Sequence, residues 1–260
     1  MTTTTPKTKS APASETSLPQ AGTEEKVTAA SPQPQIAPAD SSSKVAGFIR
    51  SMRSAPEMDR GRLIFAMDAT LSRQPTWDMA LGVQADMFDA VREIGGLDVQ
   101  LVYFRGAGEC RASPWVGNPE TLARFMTTVS CQGGYTQIGK VLARTRQEHS
   151  RQRVSALVYV GDCIEEDADD LCGRAGQLAL AGVPVFVFQE GSDAQAEQTF
   201  RQIARIAKGA FCRFDAGSAG QLRELLSAVA VYAAGGRRAL EALGRQRIGN
   251  GARLLLGQIK

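Results

Sequence analysis

Leu63-Ile64-Phe65-Ala66-Met67-Asp68-Ala69-Thr70-Leu71-Ser72 carries both a structural element and a candidate site. Its first five residues form an unbroken apolar run of strand length, which fits a central strand covered on both faces. The next five place oxygen donors at alternate positions, Asp68, Thr70 and Ser72. Alternate residues of an extended loop point to one side and can converge on a single ion. Two later stretches add to this set: Gly133-Gly134-Tyr135-Thr136 opens a helix-like segment, and Gly161-Asp162 closes a second apolar run. Asp68, Thr70, Ser72, Thr136 and Asp162 together offer two carboxylates and three hydroxyls. Such donors suit a hard divalent cation, Mg²⁺ or Mn²⁺, and leave it short of one further anionic ligand from outside the chain.

Working outward, the residue pattern predicts a helix over 75–94, with Trp77, Ala80, Leu81, Phe88, Val91 and Ile94 at helical spacing and Gly95-Gly96 as its stop. A strand is expected over 98–105, then a glycine turn and a short antiparallel edge strand over 109–113. Helices at 119–129 and 136–149 precede a buried strand at 154–160. A helix at 167–180, a strand at 183–189, a helix at 194–207, a strand at 210–215 and a helix at 218–234 complete the series. This alternation predicts an α/β fold: a doubly wound, mostly parallel six-stranded sheet with one antiparallel edge strand and helices on both faces. Such sheets bind ligands at the carboxyl ends of their strands, where the strand order reverses. Asp68 and Asp162 both fall just past strand ends on that edge.

Composition narrows the alternatives. The chain has 260 residues, 43% of them hydrophobic, and a net charge of only +3, which gives no warrant for a nucleic-acid or membrane-surface partner. No run approaches the roughly 18 apolar residues of a membrane span. The start, Met1-Thr2-Thr3-Thr4-Thr5-Pro6-Lys7, lacks the apolar centre of a secretory signal, so a cytoplasmic location is expected. Cys110, Cys131, Cys163, Cys172 and Cys212 are odd in number and irregular in spacing, and His149 is the only histidine. Reduced structural thiols are therefore expected rather than disulfides or a zinc site. Residues 1–43 read as a disordered tail, 44–56 as a short amphipathic helix on Val45, Phe48, Ile49 and Met52, and 236–260 as a basic interaction tail. Glu165, Glu166, Asp167, Asp169 and Asp170 read as acids complementing the start of the helix at 167–180.

The pattern Asp68-x-Thr70-x-Ser72, then Thr136, then Asp162 resembles the von Willebrand factor A (vWA) family, whose metal site is an Asp-x-Ser-x-Ser loop with a distant Thr and a distant Asp. The resemblance covers about residues 62–234, including the antiparallel edge strand. Thr70 stands where the family more often has Ser; it keeps the hydroxyl and adds a methyl. What the resemblance implies is a Mg²⁺ or Mn²⁺ ion bonded directly to Thr70 and Ser72. Thr136, Asp68 and Asp162 would bind directly or through water, and a Glu or Asp of a partner protein would complete the shell. This is adhesion chemistry, not catalysis, and the partner is an unknown protein.

Taken singly, the same residues read as helix caps and turn residues. A second functional reading is a haloacid dehalogenase-like phosphohydrolase, with Asp68 as nucleophile, Gly161-Asp162-Cys163-Ile164-Glu165-Glu166 as the later acidic motif and Lys140 between them. Thr70 opposes it, because that position should hold the acid that protonates the leaving oxygen. A third reading is a scaffold whose metal site is vestigial.

Overall fold

In a computed structural model describing residues 60–215, 217–246 and 250–259, one six-stranded sheet is formed among the described residues. Its strands are β1 (Gly61–Asp68), β2 (Leu97–Arg105), β3 (Glu109–Ala112), β4 (Ala156–Gly161), β5 (Val185–Glu190) and β6 (Phe211–Phe214). They lie in the order β3-β2-β1-β4-β5-β6, all parallel except β3, which pairs antiparallel with β2. A 3₁₀ turn (Leu71–Arg73) follows β1. The helices are α1 (Gln74–Val83), α2 (Ala85–Asp89), α3 (Pro119–Thr127), α4 (Ile138–Arg151), α5 (Ala168–Ala181), α6 (Ala194–Ile206), α7 (Ala219–Gly244) and α8 (Asn250–Leu256). The expected disordered tail at 1–43 and amphipathic helix at 44–56 lie outside the described residues.

All of β1 is buried, because it is covered on both sides. Leu63, Phe65 and Met67 face one apolar layer with Trp77, Leu222, Leu225 and Val229. Ile64 and Ala66 face the other, with Phe104, Tyr159, Val141, Leu171 and Phe200. At about 1.5–3 kcal/mol for each large apolar side chain removed from water, the two layers supply the main drive for folding. From β1 the chain steps to β2 and β3 on one side, then returns to β4 on the other side of β1. The strand order therefore reverses between β1 and β4. Met67 sits opposite Val160 in this pair, so Asp68 and the Gly161-Asp162 step leave the sheet side by side.

Two segments differ from expectation. The helix expected over 75–94 is α1 and α2 followed by turns, although Gln84 between them keeps a helical backbone (φ −64°, ψ −28°). Residues 236–246 and 250–259, within the segment read as a basic tail, pack on the domain. Gly236 takes φ 68°, ψ −165°, a conformation open to glycine, and this kinks α7. Beyond it Leu240, Ala252, Leu255 and Ile259 join the same core as Leu222 and Val229. Two arginines there serve the chain itself: Arg237 donates to Ile259 O (2.9 Å) and Arg253 to Gly244 O (2.9 Å). Interleaved leucines give the segment an apolar face to bury, which its charge had masked.

Candidate metal centre

Asp68 ends β1 and is only 1% exposed, an unusual place for a carboxylate without full pairing. Its Oδ1 accepts a hydrogen bond from Thr70 N at 2.7 Å, while Oδ2 is buried with no partner. Asp162, one residue past β4, likewise has a buried Oδ1 with no partner. One oxygen from each carboxylate and the Cys163 sulfur lie within 4.8 Å of one another. Burial pushes the Asp68 carboxyl up to about 6 from 3.8; hydrogen bonds from Thr70 pull the other way, and the Asp162 charge adds to the rise. Two orphaned oxygens on neighbouring carboxylates are costly unless a cation satisfies both. The donor set fits a divalent ion on that ground.

Thr70 is half-buried beside Asp68. Ser72 is exposed on the 3₁₀ turn, its Oγ 3.4 Å from Arg73 Nε. Thr136, expected in the same site, is buried and tied to the loop after β4: its N–H donates to Glu165 Oε2 (2.7 Å) and its Oγ1 accepts from Glu165 N (2.9 Å). One lone pair of that hydroxyl stays available for an ion. The turn before it is held by close backbone approach. Tyr135 N donates to Gly106 O (3.2 Å), and a Cβ on Gly134 would stand 2.2 Å from Gly106 N. Thus the Thr136 loop is latched to the Asp162 loop on one side and to the β2–β3 turn on the other.

Three participants were not evident in the sequence. Arg73, directly after the Asp68–Ser72 stretch, places Nη2 3.2 Å from Asp162 Oδ2 and Nη1 2.5 Å from Glu190 Oε2. Glu190 ends β5, is nearly buried, and also accepts from Thr76 Oγ1. The guanidinium thus offsets part of the acid charge and leaves the inner oxygens of Asp68 and Asp162 unpaired. Cys163 is the third; its thiol is pushed up to about 12 by burial first and by Asp162 and Asp68 next. Its position directly after Asp162 was the available signal for it.

The acidic run divides differently from expectation. Asp167 caps α5 by accepting from Asp170 N (2.8 Å), as an acid at that helix start should. Glu165 and Glu166 instead serve the neighbouring segment: Glu166 accepts from Ile138 N and Gly139 N at the start of α4, and Glu165 takes Thr136 N. Lys140 Nζ donates to Gly108 O and Gln137 Oε1, both at 2.8 Å.

No protein-family model and no curated protein matches the chain. Solved structures do. An aerotolerance-related membrane protein from Bacteroides fragilis superposes with a TM-score of 0.51 at 19% identity, over 64% of this chain and 96% of that one. The vWA domain of an Rpn10 protein gives 0.50 at 12% identity, over 74% and 98%. Proximal thread matrix protein 1 of the mussel byssus, with zinc in its MIDAS motif, gives 0.52 at 17% identity, over 67% of this chain and 46% of that one. At these identities the likeness is one of fold: the chain has a vWA-like α/β fold. No helix among the described residues is long and apolar enough to cross a membrane.

Proposed function

We propose that this chain is a cytoplasmic, metal-dependent protein-binding module. A divalent cation would be held by Asp68, Thr70, Ser72, Thr136 and Asp162, and a Glu or Asp side chain of a partner protein would complete its shell. When bound, the ion supplies positive charge that a carboxylate can ligate, and the chain's residues hold and shield it. By themselves the five oxygen donors suit Mg²⁺ or Mn²⁺. The observation that carries this reading is the pair of buried, unpartnered oxygens on Asp68 and Asp162 at the switch point of the sheet. Likeness to a fold that holds zinc in such a motif in the mussel protein supports it.

A second observation supports the partner. Leu71 and Tyr135, 68% and 65% exposed, lie in the two loops that carry Thr70, Ser72 and Thr136. Apolar groups around a metal would add desolvated contact to a charge-based anchor. The phosphohydrolase reading finds less support, since Lys140 is turned to Gly108 and Gln137 and Thr70 replaces the required acid. The reading is tested by immobilising the full chain and capturing partners with Mg²⁺ or Mn²⁺ present, with chelator, and with Asp162→Ala. Capture should need the ion and be lost in the variant. Partners retained equally with chelator and by Asp162→Ala would sink the reading.

A further inference from the structure

Cys163 brings one donor to this centre that is not oxygen. Its sulfur lies within 4.8 Å of a carboxylate oxygen of Asp68 and of Asp162. Asp68 Oδ2 is fully buried and without a partner, so the cluster contains an unsatisfied acceptor rather than a set of solvated acids. Zinc-class ions bind carboxylate oxygen at about 2.0–2.2 Å and thiolate sulfur at about 2.3 Å, which places tetrahedral ligand atoms roughly 3.5 Å apart. The three atoms, now within 4.8 Å of one another, would draw together around the ion to reach that spacing.

A hard ion such as Mg²⁺ gains little from sulfur and holds its waters, whereas a thiolate is among the strongest donors for softer divalent ions. We propose that Cys163 is a metal ligand and that this centre takes a thiophilic divalent cation of the zinc class in preference to Mg²⁺. The set would be Asp68, Asp162 and Cys163, with the fourth position open to a hydroxyl of the site, to water or to a partner carboxylate. On binding, the metal–sulfur bond forms as the thiol S–H proton is released to the buffer. This rests on the metal-site reading above and narrows which ion it concerns.

The test uses the full chain and Co²⁺ as a spectroscopic stand-in for Zn²⁺. Wild type should show a near-ultraviolet thiolate-to-cobalt charge-transfer band. Cys163→Ser should lack it, and Cys131→Ser should keep it, since Cys131 also lies near Asp68 but outside the three-donor group. By calorimetry, Cys163→Ser should weaken Zn²⁺ at least about tenfold while changing Mg²⁺ less than about threefold. Absence of the band in wild type overturns the assignment whatever the variants do. So does an unchanged Zn²⁺-to-Mg²⁺ ratio in Cys163→Ser. If wild type binds neither ion, or Asp68→Asn binds both as wild type does, the metal-site reading fails and this one with it. Binding without the band removes Cys163 alone.

Discussion

Asp68→Asn should stabilise the metal-free protein while abolishing its response to metal. The ionised carboxylate is held where burial raises its pKa to about 6 from 3.8. An acid raised in the folded state is penalised when ionised. The penalty is complete above the folded value and disappears below the unfolded one. A rise of about two units corresponds to about 3 kcal/mol near pH 7.5, falling to about half that near pH 5 and below about 1 kcal/mol near pH 4. Asparagine keeps Oδ1 as acceptor for Thr70 N and turns the orphaned Oδ2 into a neutral amide that carries no buried charge. For a domain of this size the gain equals a melting rise of about 6–12 °C in chelator. Wild type should recover about 2.7 kcal/mol at metal concentrations one hundred times Kd, and the variant none. Urea titrations with chelator and with metal, at pH 7.5 and pH 4, measure each term. A variant no more stable than wild type in chelator, or one still stabilised by metal, would refute the placement of Asp68 as an unpaired buried ligand.

Three other outcomes follow from the same geometry. Arg73→Gln removes the guanidinium from Asp162 and Glu190; metal should bind about tenfold more tightly because a competing positive charge is gone. The same variant should lose about 3 kcal/mol in urea denaturation, since Glu190 is left buried with Thr76 alone. Gly134→Ala would drive a methyl into the Gly106 backbone, costing about 1–3 kcal/mol and weakening metal binding through the displaced Thr136 loop; calorimetry and melting together check it. Leu240→Ala, at a fully buried position beyond the Gly236 kink, should cost about 2–5 kcal/mol; a loss under about 0.5 kcal/mol would show that Leu240 is not part of the core.

What could be read from the chain and what could not divides by the range of the interaction. The run from Leu63 to Met67 announces a strand covered on both faces because burial on both sides leaves no alternation to interrupt it, and β1 is buried throughout. Asp68 and Asp162 fall at strand ends by local pattern, and the switch point follows once six strands alternate with helices. Arg73 and Glu190 lie 117 residues apart, and nothing local to either predicts their pairing. Cys163 reads as one more reduced structural thiol because Asp68, its neighbour in space, is distant in sequence. The segment after Gly236 reads as a tail for a different reason: its six cationic side chains outweigh the four apolar positions that the fold buries.

The acidic run after Asp162 bears most directly on whether a partner carboxylate could approach the centre. As composition alone, Glu165, Glu166, Asp167, Asp169 and Asp170 would repel it. In the fold, Glu166 is turned onto the amides that open α4, Glu165 onto Thr136 N, and Asp167 onto Asp170 N. Glu166 and Asp167 thus face the positive ends of two helices, where acids are stabilising, and Glu165 is held on the Thr136 amide. Glu166→Gln separates the two roles. If the carboxylate acts as a cap, neutralising it should cost about 1 kcal/mol of stability, while metal affinity, followed by calorimetry, changes less than about threefold. A tenfold loss of metal affinity with stability unchanged would place the Glu166 charge in the field of the ion instead, and the acidic run would then count as part of the binding site.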